Sequence, residues 1–205
     1  VLVGINHTSA PVDLRECLAF SDEESRDALK SLKAHPSIKE LMIVSTCNRV
    51  EMLLTAYDPE TAIRSVKRHV AASKSIPFSR FEGAMYIHTG SEAVRHLFRV
   101  AASLDSMIVG EPQILGQVKS AYKSAVDAKG TGVILNRLLH KAFSVAKRIR
   151  SETGIGDRAV SISYAAVELA RKIFGQLEDK SVLLVGAGEM AELAVEHLNR
   201  SRTTG

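Results

Sequence analysis

Two apolar runs separated by three polar residues constrain this chain most. Residues 40–46 (ELMIVST) and 50–57 (VEMLLTAY) both read as strands, with only Cys47-Asn48-Arg49 between them. A link so short joins strands as an antiparallel hairpin, and Asn48 tolerates the left-handed backbone such turns often use. A lone hairpin is marginal in water, so neighbouring segments must supply more strands and covering helices. Residues 1–6 form a short apolar run ending in turn formers. Ser21-Asp22-Glu23-Glu24 is a capping box that opens a helix to about Lys33. Another helix is expected from Pro59 to about Ala72, and residues 84–89 make a fourth strand. The order β-α-β-β-α-β is that of a ferredoxin-like α+β unit.

After Gly90 the chain turns helical. Ser91 can cap a helix whose apolar positions Val94, Leu97, Phe98, Ala101 and Leu104 follow the 3.6-residue period. Pro112 suits the first turn of the next helix, which Gly130-Thr131-Gly132 breaks. A third runs from about Ile134 to Arg150 and buries Leu135, Leu138, Leu139, Ala142, Ala146 and Ile149. Gly154-Ile155-Gly156 marks a boundary, giving one domain over residues 1–151 and a second over 152–205.

In that second segment a helix is expected over residues 161–174, then a strand over 180–185, then Gly186-Ala187-Gly188-Glu189-Met190-Ala191 leading into a helix. A Gly-x-Gly-x-x-Ala turn between strand and helix fits the dinucleotide fingerprint. The first glycine makes the tight turn, the second lets the backbone approach a pyrophosphate, and the alanine permits close helix packing. A tight strand–helix turn in some other α/β protein is the plainer alternative. The residue that would read the ribose lies about 20 positions further on, so the turn does not choose NAD or NADP.

Cys47 and Cys17 are the only cysteines of the 205 residues, 30 positions apart. Cys17 reads as a buried small hydrophobe. Cys47 sits where a strand runs out into a polar turn, and Arg49 two positions on could favour its thiolate or clamp a carboxylate. Beside a nicotinamide site, such a thiolate suits displacement of an alcohol from an acyl ester, followed by hydride reduction of the thioester. His7, His88 and His96 are available for proton transfer, and position alone does not choose among them.

Composition narrows the class. With 45% hydrophobic and 24% charged residues the chain is globular rather than disordered. No run approaches the length of a spanning helix, and no secretory leader is recognisable. Without Cys-x-x-Cys or His-Glu-x-x-His, neither a metal site nor a disulfide is expected, and a reducing cytoplasm is the expected compartment. Charge is uneven: residues 115–150 hold eight Lys or Arg against one acid, Asp127. That stretch is either a solvated helical face or a surface that follows nucleic-acid phosphates.

The motif Ser45-Thr46-Cys47-Asn48-Arg49-Val50-Glu51 and the run over residues 96–117 (HLFRVAASLDSMIVGEPQILGQ) resemble the glutamyl-tRNA reductase family; so do Gly4-Ile5-Asn6-His7 and the turn over 185–191. The resemblance spans essentially the whole chain. It implies reduction of glutamyl-tRNA(Glu) with NADPH to glutamate-1-semialdehyde, the first step of tetrapyrrole synthesis. On that reading Cys47 takes the glutamyl group as a thioester. Thr46, Asn48 and Arg49 shape the glutamate pocket, Arg49 pairing a substrate carboxylate. Ser106, Glu111, Pro112, Gln113 and Gln117 match further substrate-binding positions. His96 matches the histidine tied to activity, and the segment Gly186, Ala187, Gly188, Glu189, Met190, Ala191 matches the NADPH phosphate loop. The resemblance also implies a homodimer in the full-length family, and glutamate-1-semialdehyde aminomutase as acceptor of the product.

Only 14 residues follow Ala191, so most of a nucleotide domain, and the dimerisation region after it, are expected to be missing from this chain. The expectation is a chain that forms the thioester but does not reduce it. Two other readings stay open from the residues: a cysteine-dependent, nicotinamide-linked acyl reductase with a non-tRNA donor, and a regulatory nucleic-acid-binding module.

Overall fold

The computed structural model describes residues 1–153, 155, 162–177, 179–186 and 188–202. Four strands form one antiparallel sheet: β1 (Leu2–Asn6), β2 (Ile38–Ser45), β3 (Arg49–Ala56) and β4 (Tyr86–His88), in the order β2-β3-β1-β4. The hairpin expected from sequence pairs Ser45 with Val50 and Leu41 with Leu54. β1 then lies against β3 with Asn6 opposite Arg49, and β4 adds to the far side of β1. Gly4 makes that approach possible. A Cβ there would stand 2.6 Å from the Val50 carbonyl and 2.7 Å from Cγ of Glu51.

Helices α1 (Val12–Leu18), α2 (Asp22–Lys33) and α3 (Pro59–Ser73) interleave with the strands. Ser21 caps α2 as expected: its Oγ accepts from Glu24 N at 3.2 Å, and Glu24 Oε2 accepts from Ser21 N at 2.7 Å. Asp58 caps α3 by accepting from Thr61 N, and Pro59 starts it. Two 3₁₀ turns, Phe78–Arg80 and Glu82–Ala84, lead into β4. Helices α4 (Gly90–Ala101), α5 (Gln113–Asp127) and α6 (Val133–Glu152) follow. All of β1 and six of the eight residues in each of β2 and β3 are buried; α2 and α5 pack on β2, α1 and α3 on β3, and α6 on both.

One buried carboxylate ties the sheet to α6. Glu40 Oε1 accepts from Ile134 N at 3.1 Å and Oε2 from Leu135 N at 2.6 Å. A buried strand residue thus satisfies two of the orphan N–H groups that open a helix.

Several local expectations change. The first helix, α1, falls in a stretch where no element was expected. It buries Arg15 and Leu18, which turns Cys17 outward, so Cys17 is exposed rather than a small core residue. Asn48 is not left-handed: among the described residues the non-glycine ones with positive φ are Ser75, Ser103 and Lys129. Thr46 closes that turn instead, its Oγ1 accepting from the N–H groups of Asn48 and Arg49 at 3.2 Å each. The N-cap of α4 is Thr89, not Ser91, and Pro112 is the N-cap of α5, immediately before its first turn. Val94 is exposed, and Leu138 and Ile149 are only half-buried at the edge of the core.

Beyond Glu152 the described elements are α7 (Ile162–Phe174) and α8 (Glu189–Arg202), which pack together. Residues 180–186 belong to no strand, contrary to expectation, because no described strand lies beside them to pair with their backbone. Gly154 and Gly156 of the expected boundary lie outside the described residues. No described helix is long and apolar enough to cross a membrane.

Candidate active site

The exposed Cys47 stands on the β2–β3 turn. α1 holds this turn from outside the sheet. Arg15, 8% exposed, donates from Nε to the Ala10 carbonyl and from Nη1 to the Cys47 carbonyl at 2.6 Å and Asn48 Oδ1 at 2.9 Å. The cysteine is therefore displayed on a braced turn, with its backbone oxygen already satisfied.

Inside the sheet, Arg49 is 1% exposed and makes a buried ion network. Its Nη1 donates to Glu51 Oε1 at 2.7 Å, and its Nη2 donates to the Asp105 carbonyl and, at 3.2 Å, to Asp105 Oδ1. Arg49 and Glu51 are two apart on one strand, so both side chains leave the same face of β3. Glu51 Oε1 also meets His96 Nε2 at 2.6 Å and accepts from the Tyr86 hydroxyl. One carboxylate oxygen thus gathers a guanidinium, an imidazole and a phenol. Burial alone would raise the Glu51 pKa. The hydrogen bond with His96 and the charge of Arg49 outweigh it and hold Glu51 below the usual carboxylate range. Burial, with the Glu51 charge beside it, pushes the Tyr86 phenol up. Buried charges of this kind persist only when paired and hydrogen-bonded.

Asp105 enters on the loop between α4 and α5. Ser103 there has φ +63°, its carbonyl accepts from Gly110 N, and its Oγ donates to the Glu111 carbonyl at 2.7 Å. Arg150, at the end of α6, donates to the same Glu111 carbonyl at 3.1 Å and so pins the loop from the opposite side. Burial raises the Glu111 carboxyl, and Arg49 opposes that rise. Ser106 Oγ is buried without a hydrogen-bond partner in this structure, as are Gln113 Nε2 and His7 Nδ1. Burial, then the positive charge of Arg49, lowers the His7 pKa against the opposing pull of Asp105, and Arg15 lowers it further.

Some of the residues singled out from sequence line one of two hollows. Pro112, Gln113 and Gln117 line a cavity of about 590 Å³ with Asp22, Ser45 and Leu193. His96 lines another of about 450 Å³ with Asn6, Tyr86, His88 and Asp105. Thr46, Cys47, Asn48 and Arg49 line neither; they stand on and behind the turn. Arg49 in particular is not an open clamp, since both terminal nitrogens are engaged within the protein. Sequence reasoning gave no role to Arg15, Glu51, Tyr86 and Asp105, and counted Arg150 only as part of the basic stretch over residues 115–150. The alternation that puts Arg49 and Glu51 on one strand face was the available signal for that pair.

At the glycine turn, Gly186 has φ +112°, a conformation that favours glycine, and a Cβ at Gly188 would meet nothing within 4 Å. The Gly188 carbonyl accepts from Ala191 N and Glu192 N as α8 begins. The turn thus has the open backbone and helix N-terminus that a phosphate-binding loop requires. Ala187 lies outside the described residues, and of Glu189 and Met190 only the helical backbone is described. Among the described residues no group of three or more His, Cys, Asp or Glu is placed to hold a metal ion.

Comparison with known proteins places the chain in a family. Residues 3–153 match the model of the glutamyl-tRNA(Glu) reductase N-terminal domain, and residues 168–204 match that of shikimate/quinate 5-dehydrogenase. A glutamyl-tRNA reductase of Desulfatibacillum aliphaticivorans is 58% identical over the whole chain, and one of Citrifermentans bemidjiense 51%. In both cases the match covers 47% of the relative, so the chain spans about half the length of these curated proteins. The solved structure of glutamyl-tRNA reductase from Methanopyrus kandleri superposes with a TM-score of 0.68 at 38% identity, covering 98% of this chain and 46% of that one. With three-quarters of its length matched by the N-terminal domain model, this chain belongs to the glutamyl-tRNA reductase family.

Proposed function

We propose that residues 1–151 form a catalytic unit that accepts the glutamyl group of glutamyl-tRNA on Cys47, within an NADPH-dependent reductase that releases glutamate-1-semialdehyde for tetrapyrrole synthesis. The observation that carries this reading is the exposed cysteine on a turn braced by Arg15 and backed by the Arg49–Glu51–His96 network. The Cys47 thiolate attacks the ester carbonyl, the carbon–oxygen bond to the terminal ribose breaks, and the ribose oxygen leaves with a proton. An aminoacyl ester is reactive enough for one thiolate to suffice. His96, held by Glu51, is the proton-transfer partner. Thr46 and Asn48 shape the mouth of the site, and a glutamyl carboxylate takes the place of Asp105 on Nη2 of Arg49. Asp105 is only partly buried, which supports that exchange. Ser106 and Gln113, each with a buried polar atom lacking a protein partner, fit donors and acceptors reserved for substrate, and Glu111, Pro112 and Gln117 complete the surround.

Residues 152–205 read as the start of a Rossmann-type domain, and the sheet as a ferredoxin-like unit, the latter supported by its strand order. The turn Gly186–Ala191 suits the pyrophosphate of NADPH, which when bound supplies hydride. Two exposed free cysteines suit a reducing cytoplasm.

The test is covalent capture. Incubation with glutamyl-tRNA carrying labelled glutamate should leave the label on this chain. Cys47→Ser should abolish it and Cys17→Ser should leave it intact. Equal loss in both variants, or equal capture from other aminoacyl-tRNAs, would overturn the assignment.

A further inference from the structure

We propose that the hollow between β4 and α4 seats the unpaired 3′-terminal nucleotide of an RNA. The proposal rests on the reading of Cys47 as acceptor from an aminoacyl-tRNA, and names where the nucleotide carrying the ester lies.

Helix α4 is built in two halves. Ala93, Leu97 and Val100 enter the core, while Glu92, Arg95, His96 and Arg99, spaced i, i+3, i+4, i+7, form one stripe that faces the hollow. Across from it, Tyr86 and His88 leave the same face of β4. Three rings therefore gather: Tyr86 and His88 with centroids 5.2 Å apart, His88 and His96 at 4.8 Å, Tyr86 and His96 at 5.4 Å. Glu51 holds Tyr86 and His96 by hydrogen bonds, so this side of the cluster is fixed before any ligand arrives. His88, half-exposed, is the ring presented at the wall. Unstacked RNA bases are recognised by such ring platforms, together with arginines that take phosphate.

The arginines are available for that role. Arg95 is 71% exposed and meets Glu92 at 3.5 Å; Arg99 is 53% exposed and reaches Asp105 only at 4.0 Å. Surface pairs this long are weak and readily exchanged for a phosphate. The volume, about 450 Å³, is that of a site for one small ligand rather than a groove for a duplex. Its location also fits the chemistry. Asn6 lines the hollow and pairs in the sheet with Arg49, which directly follows the Cys47 turn. The terminal ribose bears the ester, so its base must settle within one acyl arm of the sulfur.

The experiment uses a labelled RNA hairpin ending in an unpaired CCA and the same hairpin lacking those three nucleotides. This chain should bind the CCA hairpin about tenfold more tightly, the scale of one stacked base. His88→Ala should erase the preference while leaving binding of the truncated hairpin unchanged. Arg95→Ala with Arg99→Ala should lower the salt slope of CCA binding by about one to two phosphate contacts. Arg95 is exposed, so its variant reports even where His88→Ala fails to fold. Equal binding of the two hairpins, a preference that survives in both variants, or displacement of the CCA hairpin by NADPH would overturn the proposal. Failure of the thioester reading has a separate signature: no glutamyl label on Cys47 while the CCA preference and its loss in His88→Ala persist, which would support the hollow as an RNA site by itself.

Discussion

Strand β2 and the segment 181–185 are written in the same alphabet, IKELMIVS and SVLLV, and meet opposite fates. Six of the eight residues of β2 are buried, with β3 on one side and α2 and α5 against it. In the second segment Leu183 is 87% and Val185 90% exposed, and no strand forms. Strand propensity measures fit to a half-buried pleated surface, not a preference of the backbone alone. Where neighbours exist it becomes structure, and where none is described it stays a run of exposed apolar side chains. The same contrast separates the two chemical sites. The Cys47 turn is backed by satisfied buried charge, whereas the glycine turn leads into the start of a helix.

The sharpest way to break that contrast is to remove the charge at its centre. Arg49→Ala leaves the fully buried Glu51 without its guanidinium and frees the Asp105 loop. Breaking a buried pair from one side costs about 3–5 kcal/mol. Urea unfolding followed by circular dichroism should show the loss over the sheet unit, with α7 and α8 little changed. A loss below about 1 kcal/mol would mean that the network is dispensable to the fold.

Acid reaches the same network by titration. The Glu51 pKa is lower in the folded chain than unfolded, so its contribution is complete above the unfolded value and is lost as pH falls through the folded one. The His7 pKa is also lowered, so the unfolded chain takes up that proton first and stability declines as pH drops below about 6.5. Both act in one direction: urea midpoints should fall from pH 7 toward pH 4. Glu51→Gln should be less stable at pH 7 but flatter across that range. A midpoint rising on acidification would contradict the assigned network.

How much of this was legible in the sequence depends on where each signal lives. The hairpin, the α2 capping box and the helices after Gly90 are local patterns, and each appears within a few residues of its expected place. Helix α1 was not legible, because what holds it is Arg15 reaching back to the Cys47 turn, a contact across 32 positions. The role of Arg49 was read from its type, as a carboxylate clamp. That Glu51 and Asp105 already occupy it follows from strand register and loop folding, which no single motif displays. Cys17 was misread because a cysteine's usual burial says nothing about which face of α1 it occupies.

A smaller effect probes the link between the sheet and α6. Glu40→Ala removes both acceptors for the Ile134 and Leu135 N–H groups, and loss of a helix cap costs about 1–2 kcal/mol. Glu40→Gln keeps one acceptor and should lose about half as much. If α6 is anchored this way, hydrogen exchange at Ile134 and Leu135 should quicken in both variants before the rest of the helix responds.

The smallest expected change lies in the region that did not become a strand. Leu183 is almost fully exposed, so Leu183→Ser removes little buried area and should move the stability of this chain by no more than about 0.5 kcal/mol. The chemically equivalent change in β2, Leu41→Ser, empties a fully buried site and leaves a hydroxyl there, at a cost of about 3–5 kcal/mol. The ratio of the two losses measures how far the same residue type depends on its neighbours. Thermal unfolding of the two variants side by side gives it directly. In a longer chain that supplied parallel strands beside residues 181–185, Leu183→Ser should become as costly as Leu41→Ser. Should Leu183→Ser prove costly in the 205-residue chain itself, the segment would have to be buried in solution, and the contrast with β2 would fail.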